Sequence, residues 1–193
     1  MKIRYVHIPK AGGTSILKTL RQANLVEEPE QVNLRMGNHQ VYVENRPDII
    51  SMAVVRNPYD RAVSAFHYLK GGGSNNVDTL DGTRYCYQET FLEFCLDPNG
   101  LKKASRMQLH FVPQSYFMPD GVDIIIKLER INEYSDKIAN LLHIDSFNIP
   151  HLNKSSRGHW KDYYIDETIN IVKELYMDDF IKYGYSTHPD SYE

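Results

Sequence analysis

The sequence predicts an α/β protein, a three-layer sandwich around a mainly parallel central sheet. Three observations predict it. Strand-length apolar runs alternate with segments of helical periodicity along the whole chain. Residues 49–55 are apolar almost throughout, as a parallel strand buried on both faces requires. The chain opens as strand, Gly-rich turn and helix, the first half of a βαβ unit. At 193 residues, with no repeat or low-complexity tract, it is expected to form one domain, 1–193.

Each element has a local reason. Residues 3–8 alternate as a strand and run into Pro9-Lys10-Ala11-Gly12-Gly13, which excludes regular structure. Thr14 is a candidate N-cap for a helix over 15–23, with Ile16, Leu17 and Leu20 as its apolar stripe. After strand 49–55, Asn57 can cap and Pro58 suits the first turn of a second helix. That helix turns Ala62, Val63, Phe66 and Leu69 inward and ends at Gly71-Gly72-Gly73. Residues 71–82 read as a polar, mobile loop. Helices are expected over 87–96 and 101–109, a third strand over 122–128 and a helix over 131–142. Residues 147–159 read as irregular and basic, and 167–183 as a helical region broken near Asp178.

Composition narrows the function classes. Lys and Arg total 22 against 25 Asp and Glu, a net charge of −3, which argues against a nucleic-acid-coating role. Any anion site must then be built locally. Cys86 and Cys95 fit neither a CxxC motif nor half of a zinc site, and are expected as free thiols. No HxxxH, HExxH or acidic calcium loop occurs, so no metal is expected. No run approaches a membrane span and no signal peptide is evident. The expectation is therefore a cytoplasmic protein, or a Golgi-lumenal one only if an anchor has been removed.

Ligands of open parallel sheets bind beyond the carboxyl ends of the strands. Two such ends carry unusual chemistry. In Pro9-Lys10-Ala11-Gly12-Gly13-Thr14-Ser15, glycines let consecutive N–H groups converge at a helix N-terminus. Lys10 adds a full charge, and Thr14 and Ser15 add hydroxyls. The lysine precedes the glycines, unlike the GxxxxGK[ST] order of a nucleoside-triphosphate loop. The second end is Arg56-Asn57-Pro58-Tyr59-Asp60-Arg61. Arg56 offers a fork suited to phosphate, and Arg61 is expected on a surface carboxylate. Two anion-binding turns on one sheet suggest a ligand with two separated anionic groups.

His7-Ile8-Pro9-Lys10-Ala11-Gly12-Gly13-Thr14-Ser15 resembles the 5′-phosphosulfate loop of the sulfotransferases that use 3′-phosphoadenosine 5′-phosphosulfate (PAPS). The likeness is to the carbohydrate branch, with Ala11 in place of a usual Thr. The stretch from Val54 to Phe66 resembles that family's 3′-phosphate segment, including its Arg-then-Ser pair. Lys127-Leu128-Glu129-Arg130, His151-Leu152-Asn153-Lys154-Ser155 and Tyr183-Gly184-Tyr185 add weaker matches. The resemblance implies that Lys10, Ala11, Gly12, Gly13, Thr14 and Ser15 hold the 5′ end of PAPS. It implies that Arg56 and Ser64 hold the 3′-phosphate, with Lys154, Ser155 and Arg157 closing over the nucleotide. The products would be the desulfated nucleotide, PAP, and a sulfate ester of a small-molecule or glycan hydroxyl.

An acceptor hydroxyl needs a base, and a histidine suits that task near neutral pH. His39, in Met36-Gly37-Asn38-His39, resembles the family's Gly-His segment although Asn38 intervenes; Glu129 is the alternative. Lys10 can neutralise charge on the departing nucleotide. The 71–82 loop and Tyr85–Tyr87 are candidate walls of an acceptor cleft, and Lys102, Lys103 and Arg106 form one short basic patch that reads as a solvated helix face or as a contact for an anionic acceptor. Two other classes stay open: a kinase-like nucleotide phosphotransferase, and a non-catalytic nucleotide-binding module.

Overall fold

A computed structural model describes residues 2–27, 49–118, 121–142, 145, 147 and 157–191, without the side chains of 141 and 142. In chain order the regular elements are β1 (Lys2–Val6), α1 (Gly13–Gln22), β2 (Ile49–Val55), α2 (Pro58–Lys70), α3 (Asn76–Tyr85), α4 (Phe91–Leu96) and α5 (Leu101–Met107). They are followed by β3 (Ile124–Lys127), α6 (Ser135–Leu142), α7 (Asp166–Leu175) and α8 (Met177–Lys182). The class is α/β, as the alternation of runs requires. The chain divides into two compact units, 1–56 with 116–154, and 57–115 with 155–193.

The first unit holds a parallel sheet of order β1-β2-β3 among the described residues. β2 is central and buried almost throughout, which explains its unbroken apolar run. Ile3, Met52, Val54 and Ile126 turn to one face and pack with Ile16 and Leu20 of α1 and Ile138 and Ala139 of α6. Val6, Ala53 and Val55, on the other face, are also buried. The register pairs Val6 with Ala53 and Val55 with Lys127. β2 thus runs two residues past the end of β1, and the chain leaving β1 turns beside the end of β2.

The second unit is helical. Asn57 caps α2, its Oδ1 accepting the Tyr59 amide at 3.0 Å, and Pro58 opens the helix. Gly71 ends it. Trp160 stacks on Tyr59 at 5.7 Å, and Tyr164 donates to the Tyr59 carbonyl at 2.8 Å, so the segment after Arg157 lies along α2.

Several boundaries differ from expectation. Residues 71–82 are not a loop, because α3 begins at Asn76. Asn75 caps it, and the buried Asp78 carboxylate accepts from Tyr68, Ser74 and Asn75. The expected helix 87–96 shrinks to α4, which starts at a Thr90–Glu93 capping box. Residues 128–134 form a 3₁₀ segment before α6 rather than α-helix. The break expected near Asp178 is present, at Tyr176, whose hydroxyl donates to the Phe111 carbonyl at 2.7 Å. Arg61 is not on a surface carboxylate. It is 2% exposed and donates to the Val112 carbonyl at 2.9 Å, near buried Asp179. Cys86 and Cys95 are buried free thiols, as expected.

Candidate functional site

The loop between β1 and α1 is shaped by two left-handed residues, Lys10 (φ 64°) and Gly12 (φ 77°). Gly12 is the residue before the helix, so α1 starts at Gly13 and Thr14 lies in its first turn. The expected Thr14 cap is therefore absent. The chain enters the helix through a backbone reversal rather than through a side-chain hydrogen bond, and the exposed Thr14 hydroxyl is not used as a cap. The first turn holds no acidic residue, so nothing in it opposes an anion at the positive end of the helix.

Two side chains wall the loop. A Cβ on Gly13 would lie 2.0 Å from Cδ2 of His7, and one on Gly12 would lie 2.7 Å from Cδ1 of Leu128. Only glycine permits this approach. Ala11 is fully buried, Ser15 nearly so, and Lys10 is half-buried.

Arg56 follows β2. Its Nη1 donates to the Lys10 carbonyl at 3.1 Å. Residues 46 positions apart thus meet beyond the carboxyl ends of β1 and β2, as the strand register predisposes. The guanidinium spends one donor on the loop and is held there.

The second unit holds a different group. Ser64 sits on α2 in the same partly exposed stripe as Asp60, His67 and Tyr68. Arg157 pairs with Asp60 and its side chain is 8% exposed. Neighbouring Gly158 donates its amide to the Tyr163 hydroxyl at 3.2 Å. His39, Lys154 and Ser155 lie outside the described residues. Glu129 is exposed in the 3₁₀ segment after β3, and Arg130 forks onto Glu133 rather than onto Glu129. Lys102, Lys103 and Arg106 are exposed on α5.

Sequence reasoning missed His7 and Leu128 as walls of the loop, and Asp60 as the partner of Arg157. The adjacent glycines were the available signal for the first two, since a GlyGly pair asks what approaches it. Nothing local announces the third, which pairs residues 97 positions apart.

The profile of the sulfotransferase family matches residues 1–186. The chain belongs to the sulfotransferase family. This sulfotransferase therefore transfers sulfuryl groups, and the match runs through both compact units. No curated protein and no solved structure matched the chain. Among the described residues of the sulfotransferase, no group of three or more His, Cys, Asp or Glu could hold a metal, and no helix is long and apolar enough to cross a membrane.

Proposed function

We propose that residues 1–193 form one sulfotransferase domain that moves the sulfuryl group of PAPS to a hydroxyl of a carbohydrate. The observation that carries this reading is the Arg56–Lys10 hydrogen bond at 3.1 Å, which joins a phosphate-type fork to the loop built for an anion. Lys10, Ala11, Gly12, Gly13, Thr14 and Ser15 receive the 5′-phosphosulfate. Arg56 and Ser64 receive the 3′-phosphate, supported by Lys154, Ser155 and Arg157.

In the reaction the acceptor oxygen forms a new S–O bond while the bond between sulfur and the bridging oxygen breaks. The electron pair of the broken bond leaves with PAP. Lys10, beside the bridging oxygen, offsets that charge. The acceptor proton passes to His39 as base, with Glu129 as the alternative. The net charge of −3 favours a small or weakly charged acceptor over a long polyanion.

Calorimetry with PAP, and with ATP and Mg²⁺, tests the nucleotide. PAP is expected to bind and to raise the melting temperature; a preference for ATP with Mg²⁺ overturns the reading in favour of a phosphotransferase. Lys10→Ala is expected to remove turnover of labelled PAPS. Arg56→Ala is expected to weaken PAP about 10- to 100-fold, by loss of a bidentate charged contact. PAP binding with turnover unchanged in Lys10→Ala and His39→Ala would overturn the roles given to those two residues.

A further inference from the structure

Between Pro58 and Leu69, the residues of α2 that are only partly buried are Asp60, Ser64, His67 and Tyr68. Their spacing of four, three and one places them on one side of the helix. The segment from Arg157 to Tyr164 covers that side. Arg157 pairs with Asp60, and the Tyr163 ring meets the His67 ring edge-on, with centroids 5.0 Å apart.

Two polar atoms in this cluster are buried without a hydrogen-bond partner, Nε of Arg157 and Nε2 of His67. A buried polar atom left without a hydrogen bond costs about 1–3 kcal/mol, and more when it is charged. Two such atoms beside one helical stripe ask for a common explanation. A shared acceptor carrying several oxygens and negative charge supplies one. Ser64, one turn before His67, adds a hydroxyl at the same place.

We infer that His67 is a further ligand of the 3′-phosphate, its Nε2–H donating beside the Arg157 Nε–H and the Ser64 hydroxyl. The inference rests on the PAPS reading above and deepens it.

A pH dependence follows from the surroundings. The charged and titratable groups around His67 are Asp60 and Lys70 on its own helix, and Arg157 and Tyr163 from the covering segment. Burial first, then the charges of Arg157 and Lys70, hold the imidazole below its usual range. A phosphate dianion beside the ring reverses that balance. Binding therefore takes up a proton, and affinity rises as pH falls between the depressed and the restored pKa.

The test compares PAP with adenosine 5′-phosphosulfate, which keeps the 5′ end and lacks the 3′-phosphate, using calorimetry in buffers of different ionisation enthalpy. His67→Ala is expected to weaken PAP about tenfold and to leave adenosine 5′-phosphosulfate within twofold. His67→Gln, which keeps an N–H donor, is expected to recover most of the PAP affinity without the proton uptake. Unchanged PAP binding in His67→Ala, or equal loss for both nucleotides, overturns the inference while leaving the PAPS reading intact. If His67→Ala loses its native circular dichroism, proton uptake persisting in His67→Gln overturns it instead. Wild-type protein that does not bind PAP ends both.

Discussion

Gly13→Ala tests the wall of the anion loop. The new methyl would lie 2.0 Å from Cδ2 and 2.3 Å from Nε2 of His7. Carbon–carbon contacts are comfortable near about 3.5–4.0 Å, so the ring must retreat by roughly 1.5 Å. Overpacking of this kind costs about 1–3 kcal/mol. Alanine also recovers up to about 1 kcal/mol of helix propensity, which blurs the single substitution. A double-mutant cycle removes the blur. Wild type, Gly13→Ala, His7→Ala and the double variant are unfolded in urea at pH 7. The expected coupling is about 1–3 kcal/mol, because alanine at 13 is harmless once the ring is gone. A coupling below about 0.5 kcal/mol would refute the placement of His7 against the loop, and with it the reason for glycine at 13.

Three further outcomes are expected. The Asp123 carboxylate accepts the Ser51 hydroxyl at 2.6 Å and the Ser51 amide at 2.8 Å, which holds its pKa below the usual range. Its contribution is present above the ordinary carboxylate range and is lost as pH falls through the lowered pKa. Asp123→Asn should cost about 1 kcal/mol at pH 7, the small value reflecting its exposure, and should flatten the acid limb of a melting-temperature profile. Asp179→Ala leaves the Gln114 and Ser115 amides without their acceptor and removes a buried carboxylate beside Arg61, for about 3–5 kcal/mol. The melting temperature should drop by roughly 6–20 °C; a change under 2 °C contradicts the assignment. Burial raises both thiols, Cys86 to about 12, so a disulfide reagent at pH 8 should label neither in native protein and both in denaturant.

What the sequence made legible was local. Asn57-Pro58 announced a helix start, residues 49–55 a buried strand, and the two glycines a tight turn into α1. Each signal depends on neighbours within a few positions. The helix α3 was hidden because Asn75, Asp78 and Gly82 are loop-type residues by composition. They form a helix because Asn75 caps it and the Asp78 carboxylate is satisfied by Tyr68, ten residues earlier. Arg61 read as a surface cation for the same reason. Its acceptor at Val112 and its neighbour Asp179 are 51 and 118 positions away, and no periodicity reports them. The site divides likewise. Lys10 and Arg56 were each visible as chemistry, but their meeting follows from strand register, which a single sequence does not display.

Lys10 holds a backbone angle that side chains other than glycine resist, at roughly 1–2 kcal/mol. Glycine at position 10 would relax the loop and raise the melting temperature by a few degrees, while deleting the ammonium. On the role proposed for Lys10, a screen that ranks variants by heat resistance would therefore favour a sturdier and inert protein at this position. Among the described residues, Asn24 is the other non-glycine residue with positive φ, and it ends a helix far from any proposed chemistry. Comparing the two positions separates robustness bought by geometry alone from robustness obtained by surrendering turnover.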